Sequence, residues 1–311
     1  DPDKARDIVD RGLKNISGLA SPSLYEVGGI WRSFARVDME EHHYPLHVLQ
    51  QYTIPRGRAL RLCKVLAGLS KESVRKIKVV SKRRAESLPY GAVVLERLLL
   101  AGDIKDVVIS AYGLREGLFH ALLSQEERAK DPLLEFARGS NERLSRVPQH
   151  AREMFDWTLP LFEGESLDLR RIREASAYFS DIGWRRHPDN RAGGAFNQVL
   201  TAPFSGADHR ARALIATSIF HRYSGDEDFA RDLAVAGLLD KDDERRALRL
   251  GLAWRFAFSL SASAAGELGH YRLRLTPAKV VLEVPRKREA IASEPVQKRL
   301  GALAEIMDRR G

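Results

Sequence analysis

The chain has 311 residues, of which 44% are hydrophobic and 30% charged, with a formal net charge of +9. That length and apolar content allow two or three domains with their own cores and exclude bulk disorder. The single cysteine, Cys63, rules out an intrachain disulfide and suits a reducing cytoplasm, and no apolar run approaches the roughly 20 residues of a membrane-spanning helix. Asp1-Pro2-Asp3-Lys4 does not read as a signal peptide. It also lacks an initiating methionine, which suggests a start inside a longer protein.

In chain order, Lys4 to Asn15 has the spacing of an amphipathic helix. Leu24-Tyr25-Glu26-Val27 reads as a short strand that runs into Gly28-Gly29, and Ile30 to Met39 reads as a helix. Strand, glycine turn and helix together place backbone N–H groups where an anion can meet them. Any tight strand-to-helix turn can use the same two glycines. Pro55 suits a first helical position, and helical patterns continue through a basic stretch that contains Cys63 on an amphipathic face. A helix from Tyr90 to Leu100 follows Pro89 and stops at Gly102. Asp106-Val107-Val108-Ile109-Ser110 is a β-branched strand, and Gly113-Leu114-Arg115-Glu116-Gly117 opens a helix to Leu123. Two strand–glycine–helix units within the first ~125 residues predict an α/β layer with ligands at strand ends.

Beyond Asp131-Pro132 the pattern becomes almost wholly helical. Helices are expected at 132–145, 148–162, 168–183, 189–201, 208–223, 226–236 and 241–264, with Asp and Pro recurring at their starts. Tyr271–Leu275 and Val280–Val284 alternate as hairpin strands around Thr276-Pro277, and a helix from Glu294 to Arg310 closes the chain.

The charge is unevenly placed. Between Arg56 and Arg97 twelve Lys and Arg face only Glu72, Glu86 and Glu96, so the remainder of the chain is balanced. Such a segment attracts phosphate polyanions. A solvated helix face with its acids on another segment gives the same count. The stretch holds a single aromatic, Tyr90. That argues against nucleic-acid binding by base stacking. Trp31, Trp157, Trp184 and Trp254 read as core anchors, and Cys63 as a buried apolar side chain. His42, His43 and His47 read as surface or structural, because Pro45 breaks the helix that would align them on a metal.

Three blocks carry a resemblance. They are Tyr25-Glu26-Val27-Gly28-Gly29-Ile30-Trp31-Arg32 with Tyr44-Pro45-Leu46-His47; Arg83-Arg84-Ala85-Glu86-Ser87-Leu88-Pro89-Tyr90-Gly91-Ala92; and Ser110-Ala111-Tyr112-Gly113-Leu114-Arg115-Glu116-Gly117. In this order and spacing the chain resembles the C-terminal part of the exopolyphosphatase/guanosine-pentaphosphatase (Ppx/GppA) family, in its alphaproteobacterial branch. Ser180-Asp181-Ile182-Gly183-Trp184-Arg185-Arg186-His187-Pro188-Asp189 continues the likeness.

The resemblance implies a mainly α chain with an α/β part. Residues 1–125 would be the C-terminal half-domain of an actin-like ATPase (ribonuclease H-like) fold, 131–265 an HD-like helical domain, and 266–311 a small hairpin-plus-helix unit. It implies hydrolysis of terminal phosphate from inorganic polyphosphate, or of the 5′-phosphate of guanosine pentaphosphate, with magnesium and as a homodimer. Gly28, Gly29, Arg32 and Arg115 would meet nucleotide or phosphate. Arg83, Arg84, Arg185, Arg186, His187 and Arg191 would line a polyphosphate track. No membrane or specific nucleic-acid partner is expected.

Two departures bear on chemistry. The chain has no Asp-x-Gly-Ser-Asn-Ser-like loop and no triple-glycine loop. The family's water-activating glutamate is therefore expected in an N-terminal lobe absent here, with the magnesium ligands. The chain alone is then expected to be inactive, with no catalytic residue of its own, or to serve as a polyanion-binding and dimerisation module. Ser180 stands where the His of an HD pair belongs, before Asp181, so no working HD metal site is expected.

Overall fold

A computed structural model describes residues 2–14, 21–225, 235 and 237–310. The expected helix at 226–236 lies outside the described residues. The chain forms two compact units, Asp1–Arg128 and Ala129–Gly311.

The first unit runs α1 (Pro2–Leu13), β1 (Ser23–Val27), α2 (Gly29–Glu41), β2 (Tyr52–Pro55), α3 (Arg56–Ala67), α4 (Lys71–Arg75), α5 (Leu88–Ala101), β3 (Asp106–Ser110), α6 (Leu114–Leu122) and α7 (Gln125–Ala129). The strand order is β1-β3-β2. β1 is parallel to β3, with Val27 opposite Ser110, and β2 is antiparallel to β3. Both parallel strands therefore deliver their C-terminal glycine turns to the same edge of the sheet. Tyr52, Ile54, Val107 and Ile109 are on one face, buried in the same core as Phe34, Met39 and Leu95. Burial of each such side chain stabilises the unit by roughly 1.5–3 kcal/mol.

Pro55 departs from the expectation. It ends β2 and caps α3 with extended backbone, φ −60° and ψ 142°, instead of opening the helix from within. Pro89 does sit in the first turn of α5. Gly91 then lets α5 approach α2, because a Cβ there would lie 2.4 Å from Ile30 Cγ2. The acids missing from the basic stretch are partly supplied by α1 and α2. Arg97 donates twice to Asp10 at 2.6 and 2.9 Å, and Arg58 lies 3.1 Å from Asp38. Cys63 is fully buried, and burial pushes its thiol up to about 12. One apolar side of α6 is left uncovered: Leu114 is 90% exposed and Leu122 75%.

The second unit holds α8 (Pro132–Leu144), α9 (Gln149–Trp157), α10 (Leu167–Phe179), α11 (Pro188–Leu200), α12 (His209–Ser224), α13 (Lys241–Ser261), the hairpin β4 (Arg272–Leu275) and β5 (Val280–Glu283), and α14 (Glu294–Ile306). Asp131, Asp208 and Asp240 cap α8, α12 and α13 by accepting from backbone N–H groups at 2.7–2.9 Å. Each such cap is worth about 1 kcal/mol. α12 is buried almost throughout and packs on α11 and α13. Gly251 of α13 makes that approach feasible, since a Cβ there would stand 2.4 Å from His221 Cβ.

Several polar groups in this core have partners. Arg212 donates to the carbonyls of Leu200, Ala202 and Phe204, and Trp254 Nε1 donates to Ser176 Oγ at 2.9 Å. Trp157 and Trp184 likewise donate to carbonyls, of Tyr271 and Leu144. Among the described residues no helix is long and apolar enough to cross a membrane.

Candidate functional site

The glycine turns after β1 and β3 build one cluster. Gly28 has φ +129°, a conformation other residues adopt only under strain. It lets the chain turn sharply from β1 into α2. The first turn of α2 contains no acid, and no side chain caps it. Arg32 folds back on this turn, with its Nε donating to Gly28 O at 3.4 Å. Arg84 arrives from the segment before α5. Its guanidinium lies against Gly29 so closely that a Cβ there would sit 2.5 Å from Nη2.

Cations at a helix N-terminus oppose the helix dipole. Two arginines against this end of α2 create positive potential that an anion would relieve. Among the described residues no carboxylate lies within 4 Å of Lys76, Lys78, Lys82, Arg83 or Arg84. Arg83 is exposed beside Arg84.

At the neighbouring turn Glu116 caps α6, accepting from the Gly113 N–H at 2.7 Å. Its own backbone N–H, then that of Gly113, then the charges of Arg115 and Arg32 hold its carboxyl below the ordinary range. Glu26, the last residue but one of β1, is 6% exposed, and burial raises its carboxyl to about 7. Glu26 is desolvated, and Glu116, exposed and ionised, is engaged as the cap of α6.

Sequence reasoning missed a buried network beside this turn. Asp38 of α2 is fully buried and accepts from Tyr52 Oη at 2.6 Å, with Arg58 at 3.1 Å. Burial first, then Asp38, pushes the Tyr52 phenol well up. His42 Nδ1 meets the Asp38 backbone oxygen at 2.9 Å, so His42 is tied to its own helix. The alternating Tyr52-Thr53-Ile54 was the available signal, masked by the reading of Pro55 as a helix start.

In the second unit Arg185, Arg186, His187 and Arg191 each have a different neighbour. Arg185 lies on the Trp184 ring at 5.1 Å. Arg186 lies over Gly194 and donates to Gln198 Oε1 at 2.8 Å. His187 caps α11, accepting from Asp189 N at 3.4 Å. Arg191 donates to Arg186 O and lies 6.0 Å from the Tyr223 ring. Asp181 is gripped by Arg146, which donates from Nε at 2.9 Å, Nη2 at 2.6 Å and the backbone N–H at 3.1 Å. Arg222 stands 3.7 Å from the same carboxylate. His150 Nε2 lies 2.7 Å from Ser261 Oγ, and burial lowers its pKa. Two guanidiniums therefore face the Asp181 carboxylate. No group of three His, Cys, Asp or Glu suited to a metal occurs among the described residues.

A small sheet whose parallel strands end in glycine turns, flanked by Arg32, Arg84 and Arg115, precedes a helical unit in the chain. Residues 4–126 match the model described as the Ppx/GppA phosphatase family, and residues 140–311 that of "Exopolyphosphatase, C-terminal"; the chain belongs to this family. It is also similar to Retrograde regulation protein 2 of Saccharomyces cerevisiae, 30% identical over 195 residues, which cover 60% of this chain. The chain spans about a third, 32%, of the length of that curated relative.

Proposed function

We infer that this chain is the phosphate-holding part of a phosphoanhydride hydrolase whose substrate is inorganic polyphosphate, with guanosine pentaphosphate as the alternative. One observation carries the reading: the uncapped N-terminus of α2 is faced by Arg84 and Arg32, where a helix end without a ligand favours acids. Phosphoryl transfer needs its non-bridging oxygens neutralised and its water positioned. Arg32, Arg84 and Arg115, with the N–H groups after Gly28, meet the first need through charge-assisted hydrogen bonds. Glu26 and Glu116 do not meet the second. The general base is therefore supplied by residues other than these.

Among the described residues no cluster of carboxylates fits magnesium, and in this reading the ion is held together with the base. In the second unit, Asp181, His150 and Ser261 support an HD-like arrangement in which arginine replaces the cation.

Tripolyphosphate titrated into the chain tests this. Binding should weaken steeply as salt rises, and Arg32→Gln with Arg115→Gln should weaken it about 30-fold. Unchanged affinity in that variant refutes the site. Competition between polyphosphate and guanosine pentaphosphate decides the substrate. A second reading, self-association, is favoured by the exposed Leu114, Leu118, Phe119 and Leu122 of α6. Sedimentation of Leu118→Glu separates it from the first, because loss of a dimer should leave phosphate binding intact.

A further inference from the structure

A second cluster of cations, outside the strand-end site, lies among α11, α12, α13 and α14. Arg191, Arg222, Arg255 and Arg299 line an open cavity of about 460 Å³ together with Tyr223 and Ser259. These side chains come from four helices that the sequence separates widely. No Asp or Glu is among the described residues that line it. Among the described residues the acid that pairs with this group is Asp181, 3.7 Å from Arg222, and its oxygens already accept from Arg146.

The arginines are held in place and not fully used. Arg255 Nη1 donates to Tyr223 O at 2.7 Å, and its guanidinium lies over Gly225, where a Cβ would meet Cζ at 2.9 Å. Arg299 Nη1 donates to Ser259 Oγ. Arg222 is 9% exposed, and its Nε has no hydrogen-bond partner among the described residues. A buried, unpaired guanidinium N–H is costly, and burial lowers Arg222 to about 10. Burial and then the charge of Arg299 lower Arg255 as well. Among the described residues that line the cavity like charges converge with no acid between them, and an anion would offset both effects.

The ring faces also define the ligand. Arg222 already covers Phe258 at 3.8 Å and Tyr223 at 4.5 Å, so neither ring is open to stack a nucleobase. What the cavity offers is guanidinium N–H and hydroxyl, the donors that suit phosphate oxygens. We propose that this cavity is a second, independent oxyanion site in the helical unit, which binds a di- or triphosphate group through Arg191, Arg222, Arg255 and Arg299 and ignores what the phosphate is attached to. The site shares only Arg191 with the cluster at Arg185–Arg191, and it does not depend on the strand-end reading.

Calorimetric titration of the 311-residue chain with tripolyphosphate tests it. Two classes of site are expected. Arg255→Gln/Arg299→Gln should weaken one class about 30-fold and leave the other, and Arg32→Gln/Arg115→Gln should do the reverse. Failure of either reading is therefore seen separately. Adenosine diphosphate and pyrophosphate distinguish the sources of the phosphate group. Equal affinity for both assigns a group shared by nucleotides and polyphosphate, whereas preference for longer chains assigns a polyphosphate end. Preference for the nucleotide over pyrophosphate overturns the oxyanion-only recognition. Wild-type affinity and stoichiometry in a folded Arg255→Gln/Arg299→Gln chain overturn the site. Should that chain fail to fold, Arg299→Lys keeps the charge and loses the planar fork. A loss of about 5-fold in one class supports the site, and no loss overturns it.

Discussion

Gly29→Ala separates ligand binding from folding at the strand-end site. The new Cβ would lie 2.5 Å from Arg84 Nη2, 2.7 Å from Cζ and 2.9 Å from Nε. These atoms are the far end of a flexible side chain, so the guanidinium moves and the helix stays. Alanine also improves helix propensity by up to about 1 kcal/mol over glycine. The melting temperature should therefore stay within about 3 °C of wild type. Displacing Arg84 removes one charge-assisted contact to a bound phosphate, worth about 1.5–3 kcal/mol, so tripolyphosphate affinity at this site should fall roughly 10- to 100-fold. Calorimetry for affinity and scanning calorimetry for stability read the two effects separately.

Gly91→Ala is the contrasting control. Its Cβ meets Ile30 Cγ2 at 2.4 Å, and a β-branched side chain packed between helices cannot turn away cheaply. It should cost about 1–3 kcal/mol of stability. Unchanged affinity in a stable Gly29→Ala chain would refute the role given to Arg84. A large fall in melting temperature would show that the guanidinium is wedged there to hold the fold.

Two further substitutions test the electrostatics. Asp181→Asn weakens the three hydrogen bonds from Arg146 and leaves Arg222 without its one nearby acid. Because Arg146 is partly solvated, the loss should be about 2–3 kcal/mol in urea unfolding, and a change below about 0.5 kcal/mol would contradict the pairing. Glu26 titrates near 7 when folded, above its value of 4.5 in the unfolded chain. Its folded form thus holds a proton that the unfolded chain has lost between those two values. Stability is fully present below about pH 4.5, declines as pH rises to about 7, and is flat above, by an amount on the order of 3 kcal/mol. Glu26→Gln should remove that decline, and an identical pH profile in wild type and variant would refute the burial.

The elements legible in the sequence are those fixed by local chemistry. β3 announces itself as a β-branched run. The helices after Asp131, Asp208 and Asp240 carry their own caps, and Pro89 marks α5. β2 is not legible in the same way. Four residues ending in proline acquire strand geometry only by pairing with β3. Gly28, Gly29, Arg32 and Arg115 can be nominated because they follow glycine turns, and the parallel register of β1 and β3 brings those turns together.

The contact of Arg84 with Gly29 joins segments far apart in sequence, and spacing does not announce it. Asp38 looks like a surface acid on α2 until the fold buries it under Tyr52 and Arg58. Within the run Arg185–Arg191 the turn into α11 gives each side chain its own neighbour, which sequence closeness does not announce. Arg222, Arg255 and Arg299 line one cavity from separate helices whose packing assembles them.

The proposed function has this chain hold phosphate groups while the base that activates water comes from elsewhere. Single-turnover release of orthophosphate from polyphosphate, with magnesium and excess chain, tests it most directly when run beside binding on the same sample. The account predicts salt-sensitive binding with no release above the uncatalysed rate. Release that tracks bound polyphosphate would contradict it and place the base among these residues.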